Sequence, residues 1–213
     1  MVTGCNSNHV RQAGVTVADQ YNSKEREPGA ADLRHNDSDL LWIERYQTLR
    51  SARHFSFEGY LLVKSPNTGY RAKMKGVVDD DTLVMDLSGP LSYGRVRLII
   101  NQRKDLYLLL TRKGKISAPS LDELMSSAFR IAPPIDALLF WIKGIPQNNE
   151  IANIVINQAG QLTSFDEAGF KVAIEDYTLK DDAGQLDMKL PQKITLKNEQ
   201  LTVKLAIASM NLH

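Results

Sequence analysis

The sequence predicts a mainly β chain with helices (α+β), in which about ten or eleven antiparallel strands form a strongly curved sheet or barrel. Apolar and polar residues alternate in many short segments, which is typical of strands that bury one face and expose the other. Turn-forming residues separate these segments at short intervals, so the connections are hairpins rather than the long crossovers of a parallel α/β fold.

The predicted domain opens with a helix. Asp37, Ser38 and Asp39 offer N-terminal caps, because their side-chain oxygens accept hydrogen bonds from the free N–H groups of a first turn. Apolar residues then recur at helical spacing, and Trp42 is expected to pack on their side. They are Leu40, Leu41, Ile43, Tyr46 and Leu49.

Two blocks of strands follow the helix. The first block has alternating segments at 54–63, 70–76 and 95–100, with turn residues at 66–69, 79–81, 89–90, 103–105 and 113–114. The second block has strands at 151–156, 162–165, 170–175, 194–196 and 201–207, with a turn at 157–160. The period of two predicts one apolar face along the whole sheet.

A helical insert separates the two blocks. A capping box at 120–123 and an apolar stripe at 121–129 predict a first helix. Pro133 and Pro134 then interrupt the chain, and apolar residues at 135–142 predict a second helix that ends before Gly144. We expect both helices to lie across the open mouth of the sheet and to enclose an apolar cavity.

The alternation also assigns the side chains that face this cavity. Methionine suits such a wall, because its flexible thioether adapts to the shape of a ligand. For Trp141 and Met125, a place in a solid core is the alternative. The candidates for contact with an acyl chain are Phe55, Phe57, Met74, Met85, Leu87, Leu98, Ile100, Phe140 and Trp141.

The first residues predict a lipid anchor. Residues 2–5 read Val-Thr-Gly-Cys, the form of a bacterial lipobox, in which small residues precede the cleavage site and Cys5 receives the lipid. Only Met1 precedes them, so we expect the charged and apolar regions of a signal peptide to be encoded upstream. A lone surface cysteine is the alternative. The polar composition of 6–38 predicts a flexible tether, which leaves 39–213 as a single domain.

Composition excludes several classes of function. A net charge of +1 does not indicate a nucleic-acid-binding protein, and one cysteine allows no intramolecular disulfide or cysteine-based metal site. Catalytic and phosphate-binding motifs are missing from the sequence, so we expect no enzyme, no metal and no cofactor beyond the lipid. Residues 53–115 carry 12 Lys or Arg against 6 Asp or Glu, which suits an acidic partner, anionic head groups or merely solvated outer strands.

Four segments resemble a known family in order and spacing. They are 45–48 (RYQT), 55–60 (FSFEGY), 89–91 (GPL) and 141–146 (WIKGIP). With the lipobox, they resemble LolB, the outer-membrane lipoprotein receptor family of Gram-negative bacteria, over about residues 42–205. The last segment is the most specific of the four.

The resemblance implies an incomplete antiparallel barrel with helices over its opening. It implies an outer-membrane lipoprotein, monomeric and anchored at the periplasmic face, that takes acylated lipoproteins from a soluble periplasmic carrier and inserts them into outer-membrane lipid. Pro90 and Leu91 match the loop that presents a leucine to the membrane, although Ser92 stands where the family often has Gly. Asn6, which follows Cys5, agrees with an outer-membrane address.

Three other functions remain open at this point. A soluble periplasmic carrier of the same fold would leave Cys5 unmodified. Another envelope lipoprotein would carry free lipid rather than lipoproteins, and a co-purified ligand would reveal it. A lipid hydrolase would need a nucleophile and a base, for which the sequence has no motif.

Overall fold

A computed structural model gives the fold. It describes residues 30–67, 69–89, 94–128, 134–148, 151–180 and 188–213, with side chains from Asp37 onward except that of Ala128. Within these ranges the strands are β1 (His54–Lys64), β2 (Gly69–Asp79), β3 (Thr82–Ser88), β4 (Arg95–Asn101), β5 (Leu106–Thr111), β6 (Gly114–Ala118), β7 (Ala152–Ile156), β8 (Leu162–Glu167), β9 (Phe170–Glu175), β10 (Lys193–Lys197) and β11 (Thr202–Leu212). The helices are α1 (Ala30–Ser51), α2 (Leu121–Ala128) and α3 (Ile135–Trp141).

The eleven described strands form one antiparallel sheet. Its order is β6-β5-β4-β3-β2-β1-β11-β10-β9-β8-β7, so two meanders join where the first and last strands pair, with Tyr60 opposite Ala206. β6 and β7 are the two ends of this order, and the sheet is therefore not closed. The predicted fold class, a mainly β incomplete barrel with helices, is confirmed, as are the hairpins at the predicted turns.

The start of α1 corrects the prediction from the sequence. The helix begins at Ala30 rather than at 37–39. The division into a tether at 6–38 and a domain at 39–213 stays a prediction. Ala30, Ala31 and Leu33 have high helix propensity, which favours this extension, whereas the tether is predicted from low apolar content alone. No helix within the described ranges is both long and apolar enough to span a membrane.

The buried face of α1 also differs from the predicted stripe. Trp42, Arg45 and Leu49 are buried, whereas Leu40 and Ile43 are exposed. The buried residues recur at i, i+3 and i+7, which is one face of a helix. Trp42 is a large aromatic residue that is 4% exposed, and its burial stabilises this orientation of the helix.

The helical insert agrees with its predicted caps. The Ser120 hydroxyl accepts a hydrogen bond from the Glu123 N–H at 3.2 Å, which satisfies a donor of the first turn of α2. α2 packs on β5 and β6, and α3 continues into a turn at 142–145. Residues of both helices line one cavity with β1 to β5, so both lie on the apolar face of the sheet; a position across its open mouth stays a prediction.

Candidate functional site

The concave face of the sheet and the two inserted helices enclose a small apolar cavity. Its volume is about 20 Å³. Strands β1 to β5 supply one wall and α2 and α3 supply the other. The lining residues are Leu61, Tyr70, Met74, Met85, Leu87, Leu98 and Leu109 from the sheet, and Met125, Ile135 and Leu138 from the helices.

The size of the cavity determines what it can hold. A volume of about 20 Å³ has room for about one water molecule, whereas pockets for small ligands measure about 300–1,000 Å³. An acyl chain therefore enters only if α2 and α3 move away from the sheet or the lining side chains repack. Three of those side chains are methionines, which change rotamer at low cost.

Four of the nine predicted acyl-contact residues line this cavity: Met74, Met85, Leu87 and Leu98. Phe55, Phe57 and Ile100 are buried in the same core without lining it. The Phe57 ring occupies the space that a Cβ at Gly76 would need, so glycine lets the ring lie flat on β2. Phe140 is partly buried against the core.

Trp141, the ninth candidate, is fully buried away from the cavity. Its ring contacts Phe165 and Phe170, with centroids 6.2 Å away in each case, so it packs on the second half of the sheet. Its Nε1–H donates to Glu167 Oε2 at 2.6 Å. Trp141 therefore belongs to the solid core, as the alternative for this residue predicted.

Glu167 is a buried carboxylate that the sequence did not identify. It also accepts from the Gln147 N–H at 3.1 Å and from the Asn148 N–H at 2.7 Å. Three donors, one on the last residue of α3 and two on the segment after it, are thus tied to the end of β8. The sequence shows only that Glu167 is an acidic residue in the second block of strands. Its hydrogen-bond partners are distant in sequence, so no local pattern indicates that it is buried.

Lys143 is the second buried charge at this end of α3. Its side chain is 3% exposed, and Nζ donates to the Ala52 carbonyl oxygen at 3.0 Å. The ammonium also lies over the Phe55 and Phe140 rings, 5.0 and 5.2 Å from their centroids. Burial, together with the nearby Arg50 guanidinium, lowers the pKa of Lys143 to about 8.

This pKa predicts that alkaline pH stabilises the fold. The folded-state pKa of about 8 lies below the ordinary 10.5, so the unfolded chain binds more protons between these values and the free energy of unfolding rises with pH there. From about pH 7 to about pH 9.5 we expect a gain of about 2 kcal/mol from this group. Urea unfolding at a series of pH values measures it.

Lys143→Met is the control, because it removes the titrating group and keeps most of the length of the side chain. Its stability is expected to lack this rise. Burial raises the pKa of Tyr70 to about 12, so above about pH 10 its ionisation favours the unfolded chain and the measurement stops below that. Parallel pH profiles for the two proteins would contradict a buried, titrating Lys143.

Arg45 fixes α1 to the second half of the sheet. Its Nη2 donates to the Lys189 carbonyl oxygen at 2.6 Å, and its guanidinium lies 4.9 Å from the centroid of the Tyr177 ring. The Tyr177 hydroxyl donates to the Leu162 carbonyl oxygen at 2.6 Å. Arg45 and Lys143 both belong to segments that carried the family resemblance, and in the structure they join distant elements.

An exposed acidic turn lies beside His54, the first residue of β1. His54 Nδ1 is 2.7 Å from Asp79 Oδ1, and Nε2 is 3.6 Å from Asp80 Oδ1. Asp80 has a φ of 48° between β2 and β3, a conformation that Asp tolerates in turns. These three exposed residues are the only group within the described ranges spaced to hold a metal ion. Asp79 to Asp81 thus lie at a turn, where the sequence predicted them.

The remaining predicted site residues lie outside the described part of the chain. These are Cys5 with its neighbour Asn6, and Pro90, Leu91 and Ser92 of the β3–β4 connection. The described chain reaches Gly89 on one side of that connection and resumes at Gly94 on the other. Lipidation and membrane contact at these positions stay predictions.

The family model described as "Outer membrane lipoprotein LolB" matches residues 53–209. An outer-membrane lipoprotein LolB from Ectopseudomonas mendocina is 24% identical over 166 residues, covering 78% of this chain and 78% of the relative. One from Pseudomonas syringae pv. syringae is 24% identical over 207 residues, covering 97% and 89%. Among solved structures, a DUF1329 family protein from Desulfovibrio piger has a TM-score of 0.45 at 7% identity, covering 83% of this chain and 92% of its own.

Proposed function

Because the chain belongs to the LolB family of outer membrane lipoproteins, we propose that it receives acylated lipoproteins from a soluble periplasmic carrier and inserts them into the outer membrane. The observation that carries this proposal is the apolar concave face of the sheet. Two helices cover it through non-covalent packing. Every residue that lines the cavity is apolar apart from the hydroxyl of Tyr70. Such a surface suits the acyl chains of a lipoprotein and offers no group for chemistry on them.

The free energy of acyl exposure explains why a protein cavity is needed. Each buried methylene contributes about 0.8 kcal/mol, so one acyl chain in water costs on the order of 10 kcal/mol. The lipid part of a lipoprotein therefore crosses the aqueous periplasm only under cover. Without an energy source, each successive site has to bind more tightly, and about 1.4 kcal/mol supplies each tenfold step.

The proposal assigns roles to the parts of the chain. Cys5 carries a covalent lipid that anchors a monomer to the periplasmic face of the outer membrane. The cavity takes the acyl chains without a cofactor or a chemical step. Leu91 enters the bilayer surface when cargo is released, and its burial contributes only about 1.5–3 kcal/mol, so it guides insertion rather than holding the protein on the membrane.

A transfer assay tests the function. A carrier loaded with fluorescent lipoprotein is mixed with the untethered Cys5→Ala protein and then with vesicles. Label is expected to move from the carrier to this protein and then to the vesicles. Label that stays on the carrier would overturn the receptor role.

The variant Leu91→Glu separates acceptance from release. A carboxylate at the membrane surface costs too much to enter hydrocarbon, so we expect acceptance to remain and vesicle insertion to fall at least about tenfold. Leu106→Glu is the matched control, because Leu106 is an exposed leucine at the start of β5. Insertion that is equally fast for Leu91→Glu and Leu106→Glu would contradict the role of the loop.

A further inference from the structure

The convex face of the sheet carries a groove that the transfer of cargo does not use. It lies across β1, β2 and β3 and has a volume of about 400 Å³. Side chains along these strands alternate between the two faces of the sheet. Tyr60, Arg71 and Lys73 line the groove, whereas Leu61 and Met74 line the cavity, so the groove lies on the opposite face. The groove is lined by Tyr60, Arg71, Ala72, Lys73, Ser88 and Gly89.

Cations and exposed apolar side chains alternate in this groove and at the strand positions beside it, where Leu62 lies. Tyr60 lies opposite Lys73, and Leu62 lies opposite Arg71 on one side and Lys204 on the other. Tyr60 is 47% exposed and Leu62 is 41% exposed, which is unusual for large side chains in the middle of a sheet. An aromatic ring and a leucine among cations are the side chains that favour a membrane interface.

The positive charge of the groove is only partly balanced. Glu58 is 2.6 Å from Lys75 Nζ and 3.6 Å from Lys73 Nζ, and the hydrogen bond from Lys75 lowers the pKa of Glu58. Arg71 has no carboxylate within ion-pair distance among the described residues, and its guanidinium lies 5.8 Å from the centroid of the Tyr60 ring. Two carboxylates thus face the cations of Arg71, Lys73 and Lys75. They are Glu58 and Asp86, which lies opposite Lys75 and also pairs with Arg97.

We infer that this groove binds the phosphate head groups of membrane lipid and thereby sets which side of the domain faces the bilayer. A guanidinium fork and a neighbouring ammonium bind phosphate oxygens, while Tyr60 and Leu62 enter the interface beside them. The groove is open to solvent, so a lipid surface can reach it. The inference rests on the proposed function for its biological purpose, but vesicle binding without cargo tests it separately.

Gly89 determines the shape of the groove. A Cβ at this position would lie 2.6 Å from the Arg71 carbonyl oxygen, so only glycine lets the end of β3 approach β2 closely. The chain continues from Gly89 into the connection that contains Leu91. Lipid bound in the groove would therefore lie beside the start of the connection that the proposed function assigns to the membrane.

The test uses the Cys5→Ala protein without cargo. Its flotation is measured with vesicles of phosphatidylcholine alone and of phosphatidylcholine with phosphatidylglycerol. We expect binding to the anionic vesicles and a roughly 30-fold loss in Arg71→Gln/Lys73→Gln, because each cation near an anionic surface contributes about fivefold. The matched control is Lys171→Gln/Lys197→Gln, which removes a directly opposed pair of exposed lysines from β9 and β10. This control is expected to bind nearly as well as the parent.

Three results would overturn the inference. The parent protein could fail to bind anionic vesicles, or both double variants could lose binding equally, which would indicate general charge attraction. Full competition by inorganic phosphate at an ionic strength matched with chloride would indicate a site for the free ion instead. Circular dichroism melting checks that each variant folds, and Tyr60→Ser, which keeps every charge, is expected to weaken binding as well. If the parent protein binds vesicles but accepts no cargo, the proposed function is contradicted and this inference is not.

Discussion

Replacing Glu167 by Ala is expected to lower the free energy of unfolding by about 3–5 kcal/mol. The carboxylate accepts hydrogen bonds from the Trp141 Nε1–H and from the backbone N–H groups of Gln147 and Asn148. Ala leaves all three donors without an acceptor in a largely buried place, and such donors lose their hydration without compensation. Urea unfolding, followed by tryptophan fluorescence, measures the loss.

Two variants separate the hydrogen bonds from simple packing. Glu167→Gln keeps the shape and one accepting oxygen, so we expect it to lose only about 1–2 kcal/mol. Trp141→Phe removes one donor and keeps an aromatic ring. In Trp141→Phe/Glu167→Ala, the two losses are expected to sum to more than the double variant shows, since the residues share an interaction. Strict additivity would show that Glu167 does not hold Trp141.

The sheet could be predicted closely because its pattern is local. Alternation of apolar and polar residues fixes which side chains share a face, and the turn residues fix where each strand ends. Met74, Met85 and Leu98 were placed on the cavity wall by this alternation. The same alternation includes Leu61 and Leu109, which also line the cavity and are absent from the predicted set.

The helices show where local pattern fails. In α1, Leu40, Leu41, Trp42 and Ile43 are consecutive apolar residues, so two overlapping stripes fit a period of 3.6 and the sequence does not choose between them. The choice depends on the sheet, whose second half contacts Trp42 through Gly160. A Cβ on that glycine would lie 2.7 Å from the Trp42 backbone nitrogen.

The buried charged residues could not be predicted from the sequence. Arg45, Lys143 and Glu167 are polar residues, and composition places such residues at the surface. Each is buried because of a partner far along the chain: Lys189, Ala52 and Trp141 respectively. All three partners lie where α1 or the end of α3 meets the sheet, so these charges fix the ends of the helices while the apolar residues fill the space beneath.

This arrangement predicts that the helical cover has a fixed part and a movable part. The end of α3 is held by Glu167, whereas Met125, Ile135 and Leu138 contact the cavity through apolar packing alone. A cavity of about 20 Å³ has to grow by more than tenfold to accept an acyl chain. The energy of opening is therefore the packing of these side chains against the sheet.

Leu138→Ala is expected to tighten the binding of an acyl chain at least about tenfold. The change removes packing worth about 2–5 kcal/mol from the closed state, whereas an open state has already lost most of these contacts. Apparent affinity rises with the fraction of molecules that are open, and about 1.4 kcal/mol corresponds to a tenfold change. Titration with an acyl chain that carries an environment-sensitive dye measures the affinity.

Leu196→Ala is the control, because Leu196 is a fully buried leucine of β10 that does not line the cavity. Both variants are expected to unfold at lower urea concentration, but only Leu138→Ala is expected to bind the probe more tightly. Equal affinities in the two variants would mean that the helices do not limit entry, and the acyl chain would then have to enter by repacking of the methionines alone. Because both variants lose the same side-chain atoms, the comparison isolates where the packing is lost rather than how much.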